Sequence, residues 1–285
     1  MDFVLLTDMN SVFGEIRKMI EARHRRSLFV LSVITSVITI AVSAAGIIYI
    51  SIYKGIVPAK MLPGVMSQDI VSFISAFGLL VTMCLIKKGS GRAWIVWLGL
   101  TGYLLYAYAL YAFDGVYNLF YLFYVAIFGL CVYTVIMFFI KADFSVFTTD
   151  HKKALPRKSA AVFLLVLTVM FLLIWMSMII PGILANEPPA GNSIFVMDLS
   201  FFLPLLVICA FQLLHGRPFG DFLASVLLVK MGTLGFSVFL GELLNPLFGR
   251  GLHPPMIAVF ALLGLGGIMF AVLYLNRLAP SALEG

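Results

Sequence analysis

Ser193 to Asn245 reads S-I-F-V-M-D-L-S-F-F-L-P-L-L-V-I-C-A-F-Q-L-L-H-G-R-P-F-G-D-F-L-A-S-V-L-L-V-K-M-G-T-L-G-F-S-V-F-L-G-E-L-L-N. Two apolar runs, each long enough to form a spanning helix of about 20 residues, flank the short link His215-Gly216-Arg217-Pro218-Phe219-Gly220. The first run carries Asp198 near its start, and the second holds Lys230 far from either end. Such a pair of runs predicts a helical hairpin buried in a bilayer, and the same pattern recurs along the whole chain.

The totals agree. The chain of 285 residues is 62% hydrophobic and 11% charged, against roughly 45–50% and about 25% in soluble domains. A net charge of +6 and a pI near 9.2 do not point to nucleic acid, because the basic residues sit in short links between apolar blocks. Eight spans are expected, at Leu28–Tyr53, Asp69–Ile86, Ala93–Phe113, Tyr117–Ile140, Ser159–Ile183, Ile194–Leu214, Phe222–Leu244 and Met256–Asn276. The expected fold class is an all-α integral membrane protein.

Residues 1–27 carry Asp2, Asp8, Glu15 and Glu21 and lack a small-residue cleavage site, so they are not a removable signal. Leu5, Met9, Val12, Phe13, Ile16 and Ile20 recur at helical spacing, which predicts a cytoplasmic amphipathic segment lying on the membrane surface. Residues 141–158 form the longest link and residues 277–285 a short tail. With the N-terminus inside, the inner segments hold fifteen Lys and Arg, and the outer segments only Lys54, Lys60 and Arg250. That bias places both termini in the cytoplasm of a cell inner membrane. The remaining basic residue is Lys230.

Residues 28–140 and 159–276 echo one another. A constant shift of 129 matches Asp69 to Asp198, Phe73 to Phe202, Lys88 to Arg217, Gly91 to Gly220 and Leu98 to Leu227. Four spans per unit would keep the same orientation, so the expected arrangement is two parallel four-helix repeats.

Lys230 lies about 21 Å along its helix from the outer end, near the middle of a bilayer. A central Lys costs roughly 2.5–3.5 kcal/mol on insertion scales, so its retention points to a function. Thr233 and Ser237 follow it at helical spacing on one small, polar face. A structural reading competes, in which Lys230 donates to a neighbouring carbonyl. Asp198 is the obvious counter-charge, but a gap of about 15 Å separates it from Lys230 if the two helices end level. Snorkelling covers about 6 Å of that; pairing therefore requires an offset or a water-filled cavity. Asp69 takes the equivalent place in the other half, and two such carboxylates fit an outer mouth for a cation or proton. As the bland alternative, each simply opens a helix against its dipole. Tyr111 and Tyr117 suit an interfacial belt, while the deeper Tyr103 and Tyr106 are candidates for the Lys230 network.

Several chemistries are set aside. Cys84, Cys131 and Cys209 lie singly inside apolar blocks, and the four histidines have no ligand spacing, so neither a metal site nor a cofactor is expected. G-x-S-x-G, P-loop and H-E-x-x-H motifs are absent. A lysine in the seventh span invites comparison with retinal proteins, yet an eighth span follows and the third has no buried carboxylate. The runs A-Y-A-L-Y-A-F-D-G-V-Y-N-L-F-Y-L-F-Y-V-A-I-F-G-L at Ala107–Leu130, V-M-D-L-S-F-F-L-P-L and V-L-L-V-K-M-G-T-L-G resemble a group of uncharacterised prokaryotic polytopic membrane proteins. That resemblance implies no activity and adds no site residue. The leading expectation is a small-solute or ion carrier using Lys230, Asp198, Asp69, Thr233, Ser237, Tyr103 and Tyr106, with the lipid bilayer and a small ligand as partners. The alternatives are a non-transporting sensory or accessory subunit and, less favoured, a lipid-modifying enzyme. A carrier predicts a polar cavity reaching Lys230; a subunit predicts a dry, filled bundle.

Overall fold

The computed structural model describes residues 22–142 and 155–277. Among them, eight helices are long and apolar enough to cross a membrane. They are α1 Ala22–Ile48, α2 Leu62–Lys87, α3 Gly91–Phe113, α4 Tyr121–Lys141, α5 Arg157–Ala185, α6 Asn192–Leu214, α7 Pro218–Leu244 and α8 Pro254–Arg277. Residues 1–21 of the expected amphipathic segment, 143–154 of the long link and 278–285 of the tail lie outside the described residues.

Apolar runs of this length fold as helices because only helical bonding satisfies every backbone group without water. Side chains then set the ends. Ser90 caps α3, its Oγ accepting from the Ala93 amide at 3.4 Å. Pro63 and Pro218 occupy the first turns of α2 and α7, where a missing N–H costs nothing. Asn186, at φ 55°, closes α5 in the left-handed region.

Two ends differ from expectation in a way that matters. α1 stops at Ile48, and Ile50–Tyr53 form a separate 3₁₀ turn that folds Tyr53 inward. α2 begins at Leu62, so Asp69 does not open its helix but stands about 10 Å inside it. The helix-dipole account of Asp69 therefore fails. α6 is interrupted by a π-helical turn at Asp198–Phe202, just before Pro204.

The links alternate between two ends of the bundle. At one, which we call the Tyr53 end, the Ser193 amide donates to Asp114 Oδ1 at 3.1 Å, and a Cβ on Gly191 would come within 3.2 Å of Met61. At the opposite, Arg157 end, α5 meets α7 through an ion pair described below. Helices α1 to α4 pack as neighbours α1–α2, α2–α3, α3–α4 and α1–α4. Helix α7 is the hub, touching α2, α3, α6 and α8.

Glycine explains the tightest of these crossings. A Cβ on Gly235 would lie 2.6 Å from the Gly264 nitrogen, and one on Gly267 would lie 2.8 Å from the Gly232 nitrogen. Backbone meets backbone along α7 and α8, the small-residue packing that substitutes for hydrophobic drive in lipid. Toward the Arg157 end, Trp97 stacks edge-on to Trp94 at 5.4 Å and tilts against Phe138 at 5.7 Å. Phe138 in turn stacks on Phe222 at 6.0 Å, joining α3, α4 and α7. The outward faces are apolar, with Val30, Val37, Leu122, Val166, Leu173 and Leu265 all exposed.

Candidate functional site

Lys230 projects from α7 into a pocket of rings. Its side chain is 5% exposed, and its Nζ lies 3.1 Å from the centre of the Phe202 ring and 4.0 Å from that of Tyr106. Nζ makes no hydrogen bond. The Tyr106 hydroxyl, at the far side of that ring, donates to Asp198 Oδ1 at 2.9 Å. Trp175 of α5 donates its indole N–H to Asp198 Oδ2, also at 2.9 Å. Asp198 is 6% exposed. Four helices thus supply one cluster: α3 the tyrosine, α5 the tryptophan, α6 the acid and Phe202, α7 the lysine.

The depth gap between Asp198 and Lys230 is bridged in a way the spacing did not suggest. Tyr106 reaches the carboxylate with its hydroxyl while offering its ring face to the lysine. Phe202, one turn deeper than Asp198 on the same helix, closes over the amine. The π-turn between Asp198 and Phe202 sets how these two side chains are aimed. A desolvated cation over a ring face gains about 2 kcal/mol. That attraction offsets part of the cost of placing Lys230 here but supplies no acceptor for its N–H groups.

The remaining expected residues are placed differently. Tyr103 is buried and bonds at 3.4 Å to the Gln68 carbonyl and at 3.4 Å to Ser237 Oγ, about 10 Å along α7 from Lys230. Thr233 turns back on its own helix, donating to the Val229 carbonyl at 2.9 Å. Neither hydroxyl is hydrogen-bonded to Lys230.

Asp69 belongs to a second cluster, nearer the Tyr53 end. It is 1% exposed and accepts from Tyr53 at 2.8 Å and from Tyr111 at 2.9 Å. The Tyr53 hydroxyl lies 3.2 Å from that of Tyr124, which accepts from Asn118 Nδ2 at 3.1 Å. The Tyr53 and Tyr111 rings stack at 5.9 Å, and Tyr111 and Tyr124 at 4.8 Å. Gly46 makes the room: a Cβ there would stand 2.8 Å from both Asp69 Cγ and the Tyr53 hydroxyl. Tyr111, expected in an interfacial belt, is instead buried against this carboxylate, while Tyr117 is exposed.

A third buried acid had no place in the sequence reading. Asp221, in the first turn of α7, receives Arg157 Nε on Oδ1 at 2.8 Å and Nη2 on Oδ2 at 2.5 Å. The fork holds the start of α5 to the start of α7. Trp175, Tyr53, Tyr124, Asn118 and the lysine-facing role of Phe202 were also missed. Trp175 offered a signal, since an indole N–H in an aliphatic span needs a partner. Among the described residues, no group of three or more His, Cys, Asp or Glu is placed to hold a metal ion.

No family model matches the chain, nor does any curated protein or solved structure. Function is therefore argued from this geometry.

Proposed function

We propose that the chain is a multi-pass membrane carrier of a small solute or ion, held here with its central site closed, and that Lys230 is the solute's contact. The carrying observation is the Lys230 amine, buried without a hydrogen-bond acceptor between two aromatic rings. An intramembrane lysine kept for structure alone would be bonded to a carbonyl or carboxylate, because each unmade buried bond costs about 1–3 kcal/mol. A solute bearing an anionic or carbonyl oxygen would supply what is missing. Asp198 then balances the charge from behind Tyr106, and Phe202 acts as the lid of the site.

The topology follows the charge bias. The Tyr53 end faces outward, the Arg157 end faces the cytoplasm, and the membrane is the cell inner membrane. Two parallel four-helix halves are favoured by the matching neighbours, with α1–α2 answering α5–α6 and α3–α4 answering α7–α8. The shift of 129 also brings Gly46 onto Trp175. One residue makes room at an aspartate and the other bonds to one.

A non-transporting subunit is the second reading, favoured by the filled packing around Lys230. Native mass spectrometry of purified wild type and Lys230→Met separates the two. The carrier reading expects a small ligand on wild type that is lost from the variant. The same ligands on both, or none on either, would overturn it.

A further inference from the structure

Helix α1 carries an unusual inner face. Ser32, Thr35, Ser36, Thr39, Ser43 and Gly46 fall within an arc of about 100° at 3.6 residues per turn. All five hydroxyl residues are buried. At one end of the stripe, Ser32 accepts from Trp97 at 3.0 Å; at the other, Gly46 abuts the Asp69 carboxylate. The hydroxyls from Ser32 to Ser43 cover about 17 Å of a helix about 40 Å long.

A helical Ser or Thr can always satisfy itself by donating to the carbonyl three or four residues back. Ser32, Ser43, Thr82, Thr101, Thr168, Ser225 and Thr233 all do so in this chain. Thr35, Ser36 and Thr39 do not, and neither do Ser72 on α2 and Thr134 on α4. The oxygens of Thr35, Ser36 and Thr134 are buried without a partner, whereas Thr39 faces the Tyr108 hydroxyl and Ser72 that of Tyr103. Ser36 stands about 18 Å along α1 from Ile48, and Thr134 about 20 Å along α4 from Tyr121, so they sit at matching depth. The orphaned hydroxyls therefore come from α1 and α4, which pack as neighbours. In native proteins buried polar groups of this kind are bonded to protein, water or ion.

The chemistry of the tract narrows the occupant. Its groups are hydroxyls, whose oxygens suit a hard cation or water, and the single carboxylate among them repels an anion. It holds one carboxylate, Asp69, and among the described residues no basic side chain forms an ion pair with that acid. One negative charge balances one positive charge, and no further acid is grouped with it to favour a divalent metal. We propose that the α1–α4 bundle binds a monovalent alkali cation at Asp69, reached through a hydrated tract of the α1 hydroxyls. The site is separate from the Lys230 cluster and stands whether or not the carrier reading holds.

The test is thermal unfolding of the purified full-length protein in sodium, potassium, lithium or choline chloride at equal ionic strength. Retention of radioactive sodium or rubidium gives a second readout. At about a hundredfold excess over Kd, a specific alkali cation is expected to raise Tm by about 4 °C over choline. Asp69→Asn abolishes the difference. If that variant fails to fold, Thr35→Val and Ser36→Ala serve, because each replaces an orphaned hydroxyl by an apolar group and leaves the carboxylate in place. They retain the choline Tm but bind the cation several-fold more weakly. Lys230→Met keeps the full alkali response, which separates this site from the carrier site. Equal Tm in choline and every alkali chloride, or an undiminished response in Thr35→Val and Ser36→Ala, would refute the proposal.

Discussion

Replacing both charges of the central cluster should make the protein more stable. Lys230 costs roughly 2.5–3.5 kcal/mol at mid-membrane depth, and the rings of Tyr106 and Phe202 return part of that. Asp198 keeps two donors, Tyr106 and Trp175, and an asparagine in its place retains both contacts. Its carbonyl accepts from the indole and its amide donates to the tyrosine oxygen. Methionine fills the lysine's volume and packs well against ring edges. Exchanging a buried ionic pair for neutral groups of similar shape is commonly stabilising by about 1–4 kcal/mol, whereas removing one partner costs about 3–5 kcal/mol. For a chain of this length each kcal/mol corresponds to about 2 °C in Tm. The Lys230→Met/Asp198→Asn double variant is therefore expected to melt about 2–8 °C above wild type, with each single variant below it. Thermal unfolding in one detergent, with all four proteins side by side, gives the full cycle. A double variant that melts below wild type would show that the charges serve the fold, and the functional reading of Lys230 would lose its basis.

Other consequences are equally direct. Gly235→Ala places a methyl against the Gly264 backbone, so α7 and α8 must part; a loss of about 1–3 kcal/mol is expected in reversible unfolding. Arg157→Gln removes the fork on Asp221 and should cost about 3 kcal/mol, with much of it recovered in the Arg157→Gln/Asp221→Asn pair. Cysteines placed at Lys60 and Lys88 test the topology: an impermeant thiol reagent on intact cells should label the first and spare the second. The reverse pattern would invert the orientation.

The eight helices long and apolar enough to cross a membrane were legible because a spanning length of about 20 residues is read directly from each apolar run. Helix starts were less legible. Asp69 was expected to open its helix, yet Pro63 stands in the first turn of α2 about two turns earlier. Lys230 and Asp198 were legible as costly residues, and Tyr106 as a deep hydroxyl. Their meeting was not, because vertical reasoning along two helices ignored a third that carries an aromatic ring between them. Tyr53 was hidden for a related reason, since its partner lies on another helix and nothing local marks it; Trp175 carried a local signal in its indole N–H but not the identity of its acceptor. Asp221 had no place in the sequence reading, and only the placement of α5 shows that it holds an arginine.

The π-turn of α6 has a mechanical meaning. It winds one extra residue into the helix, so converting it to ordinary α-helix would turn one side against the other by about 100°. Asp198 and Phe202 stand at its two edges. Such a swivel would lift the phenyl ring from Lys230 while the aspartate stayed on Tyr106 and Trp175. The amine would be uncovered by the slip of a single register, and the buried Leu206, Cys209, Ala210 and Leu213 beyond the turn would have to repack against α5 and α7.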